Sequence, residues 1–310
     1  MKIAVPDLIS NSYFPVCAAV ELGCFRDEGL DLELEMIFPV DRAYRMLAAG
    51  EIAFVGGSAH SALAAFPGWR GVKLLAAQAQ GMYWFLVMRA DLAARRGDLA
   101  VVKGRRIGAA PWVEMGLRRL LAAGGIDIVR DEVQIAPVPG TGDGSVNFGV
   151  TAAHALAAGA IDGFWANGMG TEVAVREGAG TVVLDVRRGD GPAGAFDYTF
   201  ASLATSDALI ARDPALAAAA VRGLVRAQRL LAADPALATC VGEKLFPARE
   251  AALIRPLIER DLPYYQPAIG RSSITGMNAF LRALGLLEGD PAYEDVVATR
   301  FSAEWDGPAH

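Results

Sequence analysis

The sequence predicts an α/β protein made of two similar units, each a mostly parallel sheet flanked by helices, with extra helices at the C-terminal end. Three observations support this fold class. Short runs rich in β-branched residues alternate with helical runs, which favours parallel sheets. Glycines follow the ends of the helical runs, where a left-handed backbone is favoured. One six-residue pattern also occurs twice in similar surroundings.

The elements follow in regular order along the chain. In the first unit, strands are predicted at 3–5, 30–37, 52–55, 72–77 and 84–88, and helices at 13–22, 42–49 and 61–66. In the second unit, strands are predicted at 106–109, 133–138, 161–165 and 181–186, and helices at 114–123, 151–158 and 169–176. From residue 214 the pattern is helical only, over 214–232, 235–244, 248–260, 273–286 and 293–301, with proline or serine near the helix starts.

The repeated pattern predicts where a ligand binds. Residues 47–52 read LAAGEI and residues 156–161 read LAAGAI, and in each copy a helix, a glycine, a short strand and a small-residue loop follow one another. The two loops are 56–60 (GGSAH) and 166–170 (ANGMG). Ligands of open α/β sheets bind beyond the carboxyl ends of the strands, against helix N-termini. We therefore expect the loops to face each other across a ligand cleft.

Composition excludes several classes of function. The 310 residues are 53% hydrophobic and 21% charged with a net charge of −6, and no basic run suits a nucleic acid. No apolar run reaches the ~20 residues of a membrane span, so we expect no direct membrane insertion. The three cysteines and three histidines match no metal spacing, and we expect neither metal nor cofactor.

Residues 140–144, GTGDG, do not form a dinucleotide fingerprint, because the next predicted helix begins too far along the chain. We interpret this segment as a surface loop. The chain opens directly on a strand without a charged and apolar leader. A periplasmic location therefore requires a leader removed from this sequence, and otherwise we expect a cytoplasmic protein.

The candidate ligand-binding residues of the first unit follow its first and third strands. Asn11 and Ser12 are residue types that cap helices, so we expect one of the pair to cap and the other to face the ligand. A histidine in a glycine-rich loop, such as His60, can donate to a ligand carboxylate or carbonyl. The candidates are Asn11, Ser12, Tyr13, Gly57, Ser58 and His60.

The candidates of the second unit are largely aromatic and lie near strand ends. Tryptophans there usually belong to the core, but they also form the flat walls on which planar ligands stack. Glu114, in the first turn of a helix, either complements the helix dipole or binds an amine or ring N–H, unless Arg118 or Arg119 neutralises it. The tryptophans together with Glu114 therefore predict a planar, nitrogen-bearing or carboxylated aromatic ligand. The candidates are Tyr83, Trp84, Trp112, Glu114, Trp165 and Asn167.

Several segments resemble one family. Residues 11–15 (NSYFP) and 19–31 (AVELGCFRDEGLD) resemble the opening of the sulfonate, taurine and thiamine-precursor binding proteins. The resemblance extends over roughly residues 3–290. Further matching segments are 47–54, 103–108 (KGRRIG), 158–162 (AGAID) and 213–214 with the long helix that follows.

The resemblance implies a type II periplasmic-binding fold, with one lobe formed by 1–88 plus 197–310, the other by 89–196, and the ligand cleft between them. It also implies a small-molecule ligand and an ABC transporter permease as partner. One branch, the thiamine-pyrimidine synthases, consumes its own histidine, and His60 lies close to that position. Those enzymes carry a lysine where Gly56 stands here, and a cysteine-rich loop that this sequence lacks.

Two classes of function remain open at this point. The first is a binding protein that makes and breaks no bond. The second is a cytoplasmic enzyme on the same fold, such as a decarboxylase or hydrolase of an aromatic acid, with His60 and Glu114 as acid and base. No recognisable nucleophile supports the second, but a fold by itself does not assign a function.

Overall fold

The computed structural model describes residues 1–141 and 147–306. It divides into two compact units, Met1–Gly81 with Asp197–His310, and Met82–Phe196. The division precedes the strand predicted at 84–88, whereas the sequence placed the boundary at residue 88. The reason is that this strand pairs with strands of the second unit on both of its sides.

The described residues contain ten strands. Their bounds are β1 Lys2–Val5, β2 Glu33–Met36, β3 Phe54–Ser58, β4 Val72–Ala79, β5 Phe85–Arg89, β6 Arg106–Ala109, β7 Gln134–Ala136, β8 Gly163–Ala166, β9 Gly180–Asp185 and β10 Ala201–Ser206.

Twelve α-helices are described as well. Their bounds are α1 Phe14–Glu21, α2 Cys24–Asp27, α3 Val40–Ala48, α4 Glu114–Ala123, α5 Phe148–Ala157, α6 Gly168–Arg176, α7 Asp207–Arg212, α8 Pro214–Ala233, α9 Leu237–Leu245, α10 Ala248–Asp261, α11 Arg271–Ala283 and α12 Tyr293–Val296.

The two five-stranded sheets share one topology. The first has the order β2-β1-β3-β10-β4 and the second the order β7-β6-β8-β5-β9. In each sheet one strand, β10 or β5, is antiparallel to both of its neighbours. Both copies of the repeated pattern connect a helix, α3 or α5, to the strand beside this antiparallel one. The repeat is therefore structural, and the predicted fold class is confirmed.

The C-terminal helices belong to the first unit. The long helix α8 begins at Pro214, where Asp213 caps it by accepting a hydrogen bond from the Leu216 amide. It packs against α1, α2 and β4. Its apolar face includes Val221, Leu224 and Leu231, all buried, so α8 closes the apolar surface on one side of the first sheet.

Several elements differ from the sequence prediction, and the short helices α2 and α7 were not predicted. The helix predicted at 61–66 is a 3₁₀ turn over Ala59–Ala64, and β3 extends through Gly56 and Gly57 to Ser58. These two glycines are thus in a strand and not in a loop. The helix predicted at 293–301 is interrupted because Val297 bridges to Leu74 of β4. Strand β10 was not predicted, since its ASLATS sequence has no strong apolar alternation.

Candidate functional site

The candidate residues of each unit lie at the carboxyl-terminal edge of its parallel strands. In the first sheet β1 runs parallel to β3, and Ser58 at the end of β3 pairs with Ala201 at the start of β10. In the second sheet Phe85 at the start of β5 pairs with Ala166 and with Asp185, the last residues of β8 and β9. We call these places the first edge and the second edge.

Asn11 and Ser12 lie at the first edge and are completely buried. Neither caps α1: the N-cap residue is Tyr13, which makes no side-chain cap hydrogen bond, and the expectation that one of the pair would cap is wrong. Instead the Val16 amide of α1 donates to Oε1 of Gln78, 3.3 Å away. The Nδ2 group of Asn11 donates to Oδ2 of Asp261.

His60 is also completely buried at the first edge. Its Nδ1 atom lies 2.9 Å from Oγ1 of Thr199, and its ring meets Phe280 edge-on with 5.7 Å between ring centroids. Tyr198 stacks on the same phenyl ring at 4.8 Å. The imidazole is therefore held in one orientation by Thr199, which precedes β10, and by Phe280 of α11.

Gly57 and Ser58 support the edge through hydrogen bonds within the first unit. The Ser58 hydroxyl lies 2.6 Å from that of Ser61, and its carbonyl oxygen accepts from the Tyr44 hydroxyl at 3.1 Å. Burial raises the pKa of the Tyr44 hydroxyl, so that it stays a donor. Ser202 donates to the Gly57 carbonyl oxygen. A Cβ atom at Gly57 would lie 3.0 Å from Cγ2 of Val40, so any larger residue there would have to displace the Val40 side chain of α3.

Buried aromatic side chains form the second edge. The Trp84 and Trp165 rings are 6.1 Å apart at 57°, and Tyr83 lies 4.8 Å from Trp84. The Trp165 indole donates from Nε1 to the Val113 carbonyl oxygen at 3.1 Å. This bond fixes the residue that precedes α4. The three rings form one connected aromatic cluster.

Trp112 and Glu114 are held at the start of α4. Trp112 has a φ of 69°, a left-handed conformation that costs a residue with a Cβ roughly 1–2 kcal/mol. Glu114 is the first residue of α4 and is half-buried. The Arg118 guanidinium, which the sequence offered as its counter-charge, donates to the Ile135 carbonyl oxygen at 3.2 Å.

Asn167 caps a helix. Its Oδ1 atom accepts from the amides of Met169 and Gly170 at 3.0 and 3.4 Å, at the start of α6. The side-chain carbonyl of Asn167 is therefore used within the second unit. Its position at the end of β8 agrees with the second loop of the repeat, but its side-chain oxygen serves the helix.

Sequence reasoning missed several residues at these edges. Arg187 follows β9, is 4% exposed, and places its guanidinium carbon 5.6 Å from the centre of the Tyr83 ring. Its signal in the sequence was a pair of arginines directly after an apolar strand. Thr199 and Asp261 gave no local signal, because each is defined by a partner distant in the chain. Of the segment 140–144, residues 142–144 lie outside the described residues.

Residues 1–141 and 147–306 contain neither a candidate metal site nor a membrane-spanning helix. No group of three or more histidine, cysteine, aspartate or glutamate side chains in that part of the chain could hold a metal ion. No helix there is both long enough and apolar enough to cross a membrane.

Two sheets of this shared topology, each with one antiparallel strand contributed after the chain has passed through the other unit, define the type II periplasmic-binding fold. The chain belongs to the NMT1/THI5-like family, whose model matches residues 10–238. The family resemblance seen in the sequence is confirmed. No curated protein matches the sequence.

Solved structures share this fold along almost the whole chain. A protein of Bordetella bronchiseptica RB50 has a TM-score of 0.74 and 20% identity, covering 98% of this chain and 96% of that one. The periplasmic sulfonate-binding protein SsuA of a sulfonate ABC transporter from Methylobacillus flagellatus KT has a TM-score of 0.69 and 16% identity. The match covers 98% of this chain and 93% of that one. The desulfurization enzyme DSZB has a TM-score of 0.63 and 16% identity, and the match covers 98% of each chain.

Proposed function

We propose that the protein is a solute-binding protein that captures one small planar aromatic or heterocyclic molecule for an ABC transporter. The observation that carries this proposal is the composition of the second edge, where Tyr83, Trp84 and Trp165 form a buried aromatic cluster at the carboxyl ends of parallel strands. Strand ends of this kind are where open α/β sheets bind ligands. Aromatic faces bind planar molecules by offset stacking.

The first edge supplies the polar part of the proposed site. His60 is buried and oriented by Thr199, and Asn11 and Ser12 are buried in the loop that follows β1. A few oriented polar groups with an apolar wall are typical of sites for small organic molecules. The ligand cleft between the lobes, the transporter permease and a periplasmic location stay predictions. The SsuA protein with the same fold serves a sulfonate ABC transporter, which supports the transport role.

The fold relative DSZB is an enzyme, and an enzyme differs from a binding protein in what happens to the bound ligand. A binding protein returns its ligand unchanged. We therefore expect mass spectrometry to recover a bound compound intact after prolonged incubation with the protein. Conversion of the ligand in step with protein concentration would contradict the binding role.

A thermal-shift screen tests the binding role, because a ligand that binds only the folded state raises the melting temperature. The screen contains pyrimidines, aromatic amines, aromatic acids and alkyl sulfonates. For a compound that stabilises the protein, we expect His60→Ala to weaken binding by about 1–3 kcal/mol through lost hydrogen bonding. His154→Ala, which changes an exposed histidine of α5, is the matched control and should leave affinity unchanged. Equal affinities in both variants would remove His60 from the site.

A further inference from the structure

The loop after β1 carries two buried polar groups whose hydrogen bonding is incomplete. Asn11 and Ser12 are both 0% exposed. Within the described residues, neither Oδ1 of Asn11 nor Oγ of Ser12 has a hydrogen-bond partner. Buried polar atoms are almost always hydrogen-bonded, because leaving one unpaired costs the desolvation of that atom. Two such atoms on consecutive residues therefore call for a functional explanation.

The orientation of the Asn11 amide is fixed by Asp261. The Nδ2 group donates to Oδ2 of Asp261, the last residue of α10, whose side chain is also buried. An ionised carboxylate accepts hydrogen bonds and donates none. Turning the amide over would set Oδ1 of Asn11 against the carboxylate oxygen, which is repulsive. Asn11 must therefore present its oxygen, and not its NH₂ group, on the side away from Asp261.

The main chain of Asn11 is fixed from the same segment. The Tyr265 hydroxyl, in the turn after α10, donates to the Asn11 carbonyl oxygen. The main-chain carbonyl oxygen of Asn11 is therefore already hydrogen-bonded. The side-chain Oδ1 atom is the acceptor that Asn11 can still offer to a ligand. This differs from Asn167 at the second edge, whose Oδ1 is already bonded to two amides of α6.

The negative charge of Asp261 also favours Oδ1 of Asn11 as a hydrogen-bond acceptor. Oδ1 of Asp261 lies 3.9 Å from Nε of Arg260, close to the limit for an ion pair. A negative group directly behind the Asn11 amide polarises it so that electron density increases at Oδ1. Such an acceptor attracts N–H and O–H groups and repels anions.

We propose that Asn11 Oδ1, with the Ser12 hydroxyl beside it, binds a hydrogen-bond donor of the ligand, and that Asp261 is the positioning residue that makes Asn11 an acceptor. The ligand class is then an aromatic or heterocyclic compound with an amine, amide or ring N–H, and not a compound whose only polar group is a sulfonate. This inference rests on the proposed function, because it assigns the ligand chemistry of the same site.

Three probes of matched shape test the ligand class. Benzamide offers N–H donors, N,N-dimethylbenzamide keeps the carbonyl without them, and benzenesulfonate offers acceptors only. In calorimetric titrations of the full chain, we expect benzamide to bind about tenfold more tightly than the dimethyl compound, since a buried acceptor left unpaired costs about that factor. Benzenesulfonate should bind more weakly than benzamide.

Variants test the positioning role. In Asp261→Asn the amide is no longer held in one orientation, so the preference for benzamide over benzenesulfonate should fall about tenfold. Tyr265→Phe is the matched control, because it loses a hydrogen bond to Asn11 but leaves its side-chain amide in place, and it should keep the wild-type preference. Ser12→Ala changes a hydroxyl with no partner in the described residues, so it should fold and bind benzamide several-fold more weakly.

The outcomes separate this inference from the proposed function. If benzenesulfonate binds at least as tightly as benzamide, the donor class is wrong while solute binding stands. If the preference is the same in wild type and Asp261→Asn, the positioning role is wrong. If no donor-bearing probe binds, the donor class is overturned, and the proposed function is overturned as well only when the wider screen also yields no ligand.

Discussion

Replacing Trp165 by phenylalanine tests whether the second edge is built as described. The variant keeps an aromatic ring in β8 but loses the Nε1 donor, leaving the Val113 carbonyl oxygen without its 3.1 Å bond. That loss costs about 1 kcal/mol, and the smaller ring leaves a void beside Trp84 that costs about 1 kcal/mol more. We expect a loss of about 2 kcal/mol in the free energy of unfolding, measured by urea denaturation followed by circular dichroism.

The same change should weaken ligand binding, because Val113 directly precedes α4 and sets the position of Trp112 and Glu114. Trp305→Phe is the matched control. It also removes an indole hydrogen bond to a carbonyl oxygen, that of Leu75, at 2.9 Å, but in the first unit and on β4. We expect it to lower stability by about 1 kcal/mol with unchanged affinity. An unchanged stability of Trp165→Phe, or the same loss of affinity in both variants, would refute the reasoning.

Two further predictions concern the second unit. Gly170→Ala should destabilise by at least about 3 kcal/mol in urea denaturation, since its Cβ atom would lie 2.3 Å from the Gly149 carbonyl oxygen and force α5 and α6 apart. Gly270→Ala, with 3.4 Å to its nearest atom, is the control, and equal stability of both would contradict the close helix contact. Burial acts to raise the pKa of Asp162, but hydrogen bonds from Arg106 and the charge of Arg89 outweigh it and hold the pKa below its usual value. The resulting stabilisation is thus complete above the unfolded pKa of about 4 and is lost as pH falls through the lower folded pKa, and Asp162→Asn should remove this acid dependence. An unchanged pH profile of stability in Asp162→Asn would exclude the ion pair as its source.

The sequence by itself predicted the order of the elements and the family. The helix predicted at 114–123 has the same bounds in the structure, because it begins with an acidic residue and ends at a glycine. The repeated LAAG pattern predicted two related units, and both sheets have the same strand order. These features are local in the chain, and local sequence carries the periodicity and capping signals that determine them.

The structure decided what local patterns leave open. Strand β10 has a sequence with little strand character, and it exists because β3 and β4 pair with it on both sides. Pairing partners far apart in the chain can override local propensity, since the sheet supplies hydrogen bonds that an isolated segment does not have.

The two asparagines at the edges show most clearly the difference between a role set by sequence neighbours and a role set by tertiary contacts. Both follow a strand and precede a helix, and the sequence marked both as candidate ligand contacts. Asn167 caps the helix that begins directly after it, a role that its neighbours determine. Asn11 is oriented by Asp261, 250 residues away in the chain, and only the tertiary structure brings that carboxylate to it. Whether a side-chain amide caps a helix or presents its oxygen to a ligand depends on which donors and acceptors the fold places around it.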